Sequence, residues 1–339
     1  MSLLEVRDVI VDYKTPGRRP VRAVAGASLD VSPGEIVGLV GESGCGKSTL
    51  GRGIVGLQKL TSGSVTLNDV PITPVGRRAR PKADRGLQMV FQDPYSSLNP
   101  RRRIWRQVAD GLTDVHKESS ARKTAIELLE AVGLSAAIAD RYPHEFSGGQ
   151  RQRIAIARAL APQPSIIVAD EAVSALDAST QAQIANLLVG LAKERGMGLL
   201  FISHDLSVIR HIADKVAVMY LGRIVETAPT TELWESRLHP YTDALVRAIP
   251  SLEPDAPPPV APSGEVADPA TPPTGCRFHP RCPFAMERCT TEDPSLVMID
   301  DYRAAACWLQ PAGGPAVRLE LLAASTHEPG GGRLRDGTK

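Results

Sequence analysis

Several features that would place a protein in a membrane, outside the cell or on nucleic acid are missing from this sequence. No run of 18 apolar residues occurs among its 339 residues, so no membrane-spanning helix is predicted. The start, Met1–Arg7, lacks a charged segment followed by an apolar core, so we expect no secretory signal and a cytoplasmic protein. With 39 basic and 38 acidic residues, the net charge indicates no general affinity for nucleic acid.

Aromatic residues are also scarce, at 4% of the chain, so an aliphatic core is expected. The length allows one large α/β domain with an appendage, or two domains. Strands are predicted at residues 3–10, 21–32 and 63–70, helices between about 104 and 160, and alternating strands and helices from 165 to 225. This alternation predicts an α/β fold in which helices cover a parallel sheet.

The pattern Gly-x-x-x-x-Gly-Lys-Ser at residues 41–48 predicts a phosphate-binding loop between a buried strand and a helix. Its glycines let the backbone approach a phosphate, and backbone N–H groups at the helix start attract the negative charge. Lys47 supplies a charge for the β- and γ-phosphates, and the Ser48 hydroxyl suits Mg²⁺. The loop residues expected at a nucleoside triphosphate and Mg²⁺ are Gly41, Glu42, Ser43, Gly44, Cys45, Gly46, Lys47, Ser48 and Thr49.

A second acidic motif ends an apolar strand at residues 165–171. Ligands in open α/β sheets lie at the carboxyl ends of the strands, which is where Asp170 and Glu171 fall. Asp170 is predicted to hold Mg²⁺ directly or through water. Glu171 is predicted to act as a general base or to orient the attacking water.

A third motif, Ser147-Gly148-Gly149-Gln150, has the spacing of a helix capping box. Two glycines weaken the first turn of a helix, however. Their presence is explained if a phosphate approaches the backbone there.

Taken in order, these motifs resemble those of the ATP-binding subunits of ABC transporters, over about residues 1–250. The resemblance implies an ABC-type P-loop ATPase domain with a mixed or parallel sheet core and a helical subdomain at about 93–160. It also implies a role in catalysis for Gln92, Glu171 and His204, and it places Gln92 among the residues that bind ATP and Mg²⁺. The remaining matches are the signature at Phe146–Gln150, the dimer-interface loop with Ser174 and Asp177, and Tyr13 as the aromatic that stacks on adenine.

By this resemblance, two such subunits enclose two ATP molecules head to tail. Each ATP lies between one phosphate loop and residues Ser147, Gly148, Gly149 and Gln150 of the other subunit. Ala172 and Val173 depart from the Pro-Thr that usually follows the catalytic glutamate. Both positions flank the chemistry, so ATP hydrolysis is still expected.

Three segments, Phe91–Pro100, Arg141–Phe146 and Leu238–Thr242, resemble more narrowly the ATPases of dipeptide and oligopeptide importers, which include nickel importers. The phosphate loop and signature resemble the F-type member. This implies a D-type sister ATPase, two transmembrane permease subunits, an extracytoplasmic solute-binding protein and a peripheral position on the cytoplasmic face of the inner membrane. Peptide import is the main interpretation, and nickel import is the alternative within the family.

A soluble ABC-type ATPase of translation or DNA repair is the alternative from another class. Translation members usually carry two ATPase copies, and repair members a long coiled coil between the nucleotide motifs. This chain has one copy and no sustained heptads between Lys47 and Asp170. A purely regulatory subunit would need a damaged active site, whereas Glu171 and His204 are both present.

The end of the chain is predicted to form a Pro-rich linker at 251–274, a small Cys-containing module at 275–315 and a disordered tail at 325–339. The module is expected to lie apart from the ATP chemistry, because the linker separates it from the ATPase motifs.

Four cysteines of this module, Cys276, Cys282, Cys289 and Cys307, are separated by five, six and seventeen residues. Disulfides are rare in cytoplasmic proteins, so such a group suggests a metal or cluster site. The intervals fit zinc poorly, whereas a [4Fe–4S] cluster accepts thiolates from irregular loops. Because the importer family also includes members with such a cluster, we expect a structural [4Fe–4S] cluster, with zinc and unligated thiols as open alternatives.

Overall fold

The computed structural model describes residues 3–14, 17, 19–76, 81, 83–112, 117–250, 258–259, 264–265, 267–310, 316–317 and 319. The predicted tail at 325–339 and most of the predicted linker at 251–274 lie outside this set. Both therefore stay predictions.

Strands occur in three stretches of the described chain: before the phosphate loop, around residues 62–90, and after residue 165. Their bounds are β1 Leu4–Tyr13, β2 Val21–Val31, β3 Ile36–Val40, β4 Ser62–Leu67, β5 Val70–Pro71, β6 Leu87–Val90, β7 Ile166–Asp170, β8 Gly198–Ile202, β9 Lys215–Tyr220, β10 Arg223–Pro229, β11 Val297–Met298 and β12 Ala304–Ala305.

Helices follow the phosphate loop, fill the stretch between β6 and β7, and alternate with the later strands. Their bounds are α1 Lys47–Ile54, α2 Pro94–Ser97, α3 Ile104–Ala109, α4 Glu118–Ala131, α5 Gly148–Leu160, α6 Ala178–Arg195, α7 Leu206–Ile212, α8 Thr230–Glu235, α9 Pro240–Arg247 and α10 Glu287–Thr291. Short 3₁₀ turns lie at Ala83–Gly86, Ala136–Ile138, Pro143–Glu145 and His279–Arg281.

Two sheets form the centre of the molecule. The larger has the order β11-β12-β10-β9-β3-β8-β7-β6 and the smaller the order β2-β1-β4-β5. The five strands from β9 to β6 pair in parallel, whereas β10, β12 and β11 add antiparallel pairs at one edge. The prediction of a helix-covered sheet with mixed or parallel pairing is confirmed.

The strand β3 shows why the sheets stack as they do. Its side chains alternate between two cores: Ile36 and Val40 pack with the helices, and Val37 and Leu39 pack with the smaller sheet. A strand buried on both faces requires apolar residues at every position, which accounts for the uninterrupted apolar run in the sequence. The same alternation occurs in β7 and β8.

Helices are the only regular secondary structure in the described part of the stretch between β6 and β7, and α3, α4 and α5 pack against one another there. Trp105 of α3, Leu129 of α4 and Ile154 of α5 are buried in the larger core. This stretch begins at Pro94 and ends at Leu160, close to the range proposed for a helical subdomain.

One predicted strand differs in detail. Residues 63–70 form two strands, β4 and β5, joined by a turn at Asn68 and Asp69. Both turn residues have positive φ, at 48° and 63°. Asn and Asp tolerate this left-handed conformation better than most residues, so the chain reverses where one continuous strand was expected.

The prediction of a separate Cys-containing module is not supported. Strand β12 pairs with β10 and so extends the main sheet, and the Phe278 side chain is buried in the larger core. Phe278 packs against Tyr220 and Tyr241, with both ring-centroid distances at 5.3 Å. The described part of this segment therefore shares a core with the ATPase fold.

A buried carboxyl group holds the chain that leads into α9. Glu226 of β10 is fully buried, and its two oxygens accept hydrogen bonds from the backbone N–H groups of Leu238 and His239 at 2.9 and 2.8 Å. Burial raises the pKa of Glu226 from 4.5 to about 7, although these hydrogen bonds oppose the shift.

This raised pKa predicts a pH-dependent stability. The folded state binds the Glu226 proton more tightly than the unfolded state, so the contribution is complete below about pH 4.5 and is lost as the pH rises through about 7. Relative to Glu226→Gln, which does not ionise, the wild-type free energy of unfolding should fall by about 3 kcal/mol between pH 4.5 and pH 8. Urea unfolding at both pH values measures this difference, and parallel pH profiles of the two proteins would contradict it.

Candidate functional site

The predicted nucleotide residues meet at one edge of the larger sheet. The phosphate loop follows β3, and the other three groups follow the next three parallel strands of the sheet: His204 after β8, Glu171 after β7 and Gln92 after β6. Parallel strands end at the same edge, so four segments that are distant in sequence become adjacent.

At two positions of the phosphate loop, the surrounding backbone leaves room only for glycine. Gly41 and Gly46 have φ values of 150° and 107°, in a region that L-residues rarely adopt. A Cβ at Gly41 would overlap the Met219 carbonyl oxygen, and one at Gly46 would overlap that of Ala23. Sequence reasoning assigned these glycines to the approach of a phosphate, whereas here a neighbouring backbone also excludes a side chain.

The Lys47 ammonium group lies inside the loop. Its side chain is buried, and Nζ donates to the carbonyl oxygens of Gly41 at 2.7 Å and Glu42 at 3.0 Å. The loop backbone therefore aims the positive charge at the space that it encloses.

Ser48 and Asp170 form a pair beside this lysine. The Ser48 Oγ donates to Asp170 Oδ1 at 2.7 Å. Burial raises the pKa of Asp170, and the Ser48 hydrogen bond partly offsets that shift. A hydroxyl and a carboxylate side by side are hard oxygen donors of the kind that Mg²⁺ takes, with phosphate oxygens and water completing its shell.

Glu171 lies at the centre of a polar cluster. Gln92 Nε2 donates to its Oε2 at 3.1 Å, and His204 Nδ1 lies 3.4 Å from its Oε1. Gln92 Nε2 also donates to Ser174 Oγ at 3.1 Å. Glu171 has a φ of 45°, which is uncommon for a residue with a side chain and is a form of local strain found at functional sites.

An open cleft of about 320 Å³ lies at the phosphate loop, Gln92 and Glu171, whereas Asp170 and His204 are not among the described residues that line it. Its lining consists of Ala23, Ser43, Gly44, Gly46, Lys47, Ser48, Thr49, Gln92 and Glu171. Tyr13 lies beside it, with its hydroxyl 3.4 Å from Thr49 Oγ1 and its side chain partly exposed. Sequence reasoning missed Ala23, which lies on β2 and carries no motif.

The signature residues lie elsewhere, at the start of α5. The predicted capping box is confirmed: Ser147 Oγ accepts from the Gln150 N–H at 3.3 Å, and Gln150 Oε1 accepts from the Ser147 N–H at 3.1 Å. An added Cβ at Gly149 would lie 2.7 Å from Thr180 Cγ2, so packing against α6 also favours glycine there.

A second open cleft, of about 370 Å³, runs along this helix start. Its lining consists of Ser147, Gly148, Gly149, Gln150, Arg153, Ala175, Leu176, Asp177, Thr180 and Gln183. Among the described residues, the two clefts share no lining residue. Sequence reasoning missed Arg153, which lies one turn beyond Gln150 on α5.

Asp177 has a structural role that its motif did not reveal. It caps α6 by accepting from the Thr180 N–H at 3.0 Å, and the Ser179 hydroxyl donates to the same oxygen at 2.6 Å. These hydrogen bonds, led by that of Ser179, lower the pKa of Asp177 to about 2. The residue is therefore a carboxylate throughout the physiological range.

The four C-terminal cysteines line a single cavity, together with His239 and Phe278. Burial raises the pKa of Cys282 to about 11 and that of Cys307 to about 12, so both are neutral thiols at pH 7 unless a metal displaces the proton. Within the described part of the chain, no group of three or more His, Cys, Asp or Glu side chains could hold a metal ion. Among the described residues, no grouping of side chains around a single ion therefore supports the predicted metal site.

The cysteine-bearing segment also contacts the phosphate loop, which sequence reasoning did not expect. The Arg281 guanidinium donates to both carboxylate oxygens of Glu42, at 2.8 and 2.9 Å, and the Tyr241 hydroxyl accepts from the Glu42 N–H at 2.8 Å. The expectation that this segment lies apart from the ATP site is wrong. Tyr241 lies within Leu238–Thr242, one of the segments that resemble the importer family, but nothing in the sequence indicated either contact with Glu42.

Comparison with known proteins adds to this geometry. The family described as ABC transporter matches residues 24–174, and the family described as oligopeptide/dipeptide transporter, C-terminal region, matches residues 225–289. A probable peptide ABC transporter ATP-binding protein, y4tS of Sinorhizobium fredii, is 49% identical over 92% of this chain and 90% of its own length. The di/tripeptide transport ATP-binding protein DppF of Pseudomonas aeruginosa is 45% identical over 90% of this chain and 97% of its own length.

A solved dimeric structure of the ATP-binding cassette MJ0796, bound to ADP and phosphate, is similar in fold. It has a TM-score of 0.60 and 31% identity and covers 67% of this chain and 98% of that chain. The fold and the site together define an ATPase of the ATP-binding-cassette class. The chain belongs to the ABC transporter ATP-binding proteins of the oligopeptide/dipeptide type.

As a member of this family, the chain is an ATPase whose hydrolysis is coupled to transport, and the family implies dimerisation and transmembrane permease partners. Across the described residues, no helix is both long and apolar enough to cross a membrane.

Proposed function

We propose that this chain binds and hydrolyses ATP to power the import of dipeptides or oligopeptides. The observation that carries the proposal is the convergence of Gln92, Glu171 and His204 beside the phosphate loop. Peptide as the transported substrate is supported by the names of the relatives, which are peptide, oligopeptide and di/tripeptide transport proteins. These names favour neither nickel import nor a role in translation or DNA repair.

At the site itself, we assign ATP binding to residues 41–49 and Tyr13. Lys47 binds the β- and γ-phosphates, the loop N–H groups surround them, and Tyr13 stacks on adenine. Ser48 and Asp170 would hold Mg²⁺, and that ion when bound supplies neutralising charge at the phosphates. The 2.7 Å contact between the two side chains supports this assignment, because it places the two oxygens side by side.

For hydrolysis, we assign to Glu171 the orientation of water and acceptance of its proton. The Gln92 amide and the His204 ring lie at the two oxygens of its carboxylate, so they hold that carboxylate in one orientation beside the phosphate loop. A carboxylate held in this way serves as a general base without having to reorganise during the reaction.

We further propose that the active unit is a head-to-tail pair with a D-type sister ATPase. The separation of the two clefts supports this arrangement, because Ser147, Gly148, Gly149 and Gln150 expose a helix start that lies away from this chain's own phosphate loop. Backbone N–H groups at a helix start attract a phosphate, so a partner's ATP would complete the site. Ser174 and Asp177 would then lie at the interface.

The remaining assembly follows from the family. We propose that two permease subunits hold the pair at the cytoplasmic face of the inner membrane and that an extracytoplasmic solute-binding protein delivers the peptide. Within the chain, we assign residues 1–250 to the ATPase domain, about 93–160 to its helical subdomain, 251–274 to a linker, 275–315 to the cysteine-bearing region and 325–339 to a tail.

We also propose that Cys276, Cys282, Cys289 and Cys307 bind a [4Fe–4S] cluster with a structural role. What supports it is their shared cavity, since each thiolate of such a cluster binds its own iron and the four need not converge on one point. When bound, the cluster would hold the thiols as thiolates and fix the loops that carry them.

The first test concerns catalysis. Glu171→Gln should retain ATP binding and lose at least about 100-fold in hydrolysis, because it removes the base but not the phosphate loop. ATP turnover of the assembled transporter and nucleotide binding to the chain are measured together. Glu194→Gln, the same change at an exposed residue of α6, is the control and should keep full turnover. Near-normal turnover of Glu171→Gln would refute the assignment.

The second test concerns the shared site. Ser147→Arg should leave ATP binding to this chain's own phosphate loop unchanged but abolish ATP-dependent pairing with the partner, because the new side chain fills the second cleft. Ser135→Arg replaces another exposed capping serine outside that cleft and serves as the control. If Ser147→Arg removes ATP binding by the isolated chain, the head-to-tail geometry is wrong.

The third test concerns the cluster. Anaerobically purified protein should be brown and contain about four iron atoms and four sulfides per chain. Cys289→Ser should lose most of this iron, whereas Cys45→Ser, at the one cysteine outside the group, should retain it. Colourless protein with stoichiometric zinc, or with no metal, would reject the cluster and leave the ATPase assignment intact.

A further inference from the structure

A buried ion pair links the end of the chain to the phosphate loop. Arg281 and Glu42 are 239 residues apart, and the guanidinium donates to both carboxylate oxygens at 2.8 and 2.9 Å. The Arg281 side chain is only 5% exposed and that of Glu42 20%, so water screens the pair weakly. A bidentate arginine–carboxylate pair fixes the relative orientation of the two side chains as well as the distance between them.

The same loop residue is held from a second direction. Tyr241 of α9 accepts a hydrogen bond from the Glu42 N–H at 2.8 Å. Its ring is fully buried and packs against Tyr220, with 4.6 Å between the centroids. Both the backbone and the side chain of Glu42 are thus fixed by residues that follow the nucleotide motifs in sequence.

Glu42 in turn orients the lysine of the phosphate loop. Its carbonyl oxygen accepts from Lys47 Nζ at 3.0 Å and from the Cys45 N–H at 3.3 Å. A shift of Glu42 would therefore move the carbonyl that directs the Lys47 ammonium. This provides a continuous path of contacts from Arg281 to Lys47.

Arg281 is itself positioned by the turn at residues 276–282, here called the cysteine turn. Within it, the His279 N–H donates to the Cys276 carbonyl and the Cys282 N–H to that of His279, at 3.0 and 3.2 Å. Phe278 anchors the turn in the core. The cysteines at both ends of the turn face the four-thiol cavity, so the packing of that cavity fixes the backbone that carries Arg281.

We propose that Arg281 is a positioning residue of the phosphate loop, through which the cysteine turn sets the affinity of this subunit for ATP. The proposal rests on the assignment of residues 41–49 to ATP binding. It makes the C-terminal region part of the nucleotide site, and any change that loosens the cysteine turn is expected to weaken ATP binding.

The experiment is a double-mutant cycle on the full chain, with affinity for the non-hydrolysable analogue AMP-PNP and Mg²⁺ measured by calorimetry. Arg281→Gln and Glu42→Gln should each weaken binding about tenfold. The double variant should be no weaker than either single variant, because both remove the same contact. Arg281→Lys keeps the positive charge but loses the bidentate hydrogen bonding. Its affinity for the analogue should lie between those of the wild type and Arg281→Gln.

Glu292→Gln supplies a matched control. It breaks an exposed ion pair with Arg288, at 2.8 Å, in the same region of the chain. Its affinity should stay within about twofold of the wild type, since exposed pairs contribute little.

Amide hydrogen exchange separates positioning from general destabilisation. In Arg281→Gln, exchange should accelerate at residues 42–47 and stay unchanged in β7 and β8. Tyr241→Phe, which keeps the buried ring and removes only the hydroxyl, should reproduce this pattern with a smaller loss of affinity. This variant also tests the proposal if Arg281→Gln does not fold.

Several results would overturn the proposal. These are a folded Arg281→Gln with affinity within twofold of the wild type, additive losses in the double variant, or a Tyr241→Phe protein with unchanged affinity and exchange. Lys47→Ala distinguishes this failure from that of the ATP assignment. If the wild type binds the analogue and Lys47→Ala does not, the phosphate loop is the site and only the role of Arg281 is rejected.

Discussion

Burial of the central parallel strands on both faces is the constraint on which the rest of this structure depends. In β3, β7 and β8, alternate side chains enter two different cores, so both a helical layer and a second sheet must cover them. The helical layer and the second sheet are both needed, because leaving either face of the parallel strands uncovered would expose half of their apolar side chains to water. The layered arrangement follows from this requirement.

The same constraint places the chemistry. Side chains within the buried strands have no access to water, so the polar groups of the site are confined to the last residue of a strand, as at Asp170, and to the segments that leave the carboxyl edge. Gln92, Glu171 and His204 lie there because β6, β7 and β8 are neighbours. The positive φ of Glu171 shows how tightly the chain must turn to bring its carboxylate to the cleft. The strands thus fix the positions of Gln92, Glu171 and His204, and the short loops after the strands set the orientation of these side chains.

The antiparallel edge of the sheet has a different role. Glu226 on β10 binds the backbone that enters α9, and Tyr241 of that helix reaches the phosphate loop. Strand β12 pairs with β10 and brings the cysteine-bearing segment to the same region, where Arg281 meets Glu42. The C-terminal region is thereby joined to the nucleotide site by buried contacts, although it follows all the nucleotide motifs in sequence.

The sequence by itself determined the parts that depend on local pattern. Apolar runs located the parallel strands, the spacing of glycines and Lys47 located the phosphate loop, and Ser147 with Gln150 located a helix start, because each pattern reports an interaction among residues that are close in the chain. Only the tertiary structure decided that Asn68 and Asp69 divide a predicted strand, that Gly41 is enforced by the Met219 carbonyl, and that Arg281 contacts Glu42. The last two are contacts between residues far apart in sequence, and no local pattern encodes them. The cysteine segment therefore looked like a separate module in the sequence, whereas burial of Phe278 and pairing of β12 make it part of the same core.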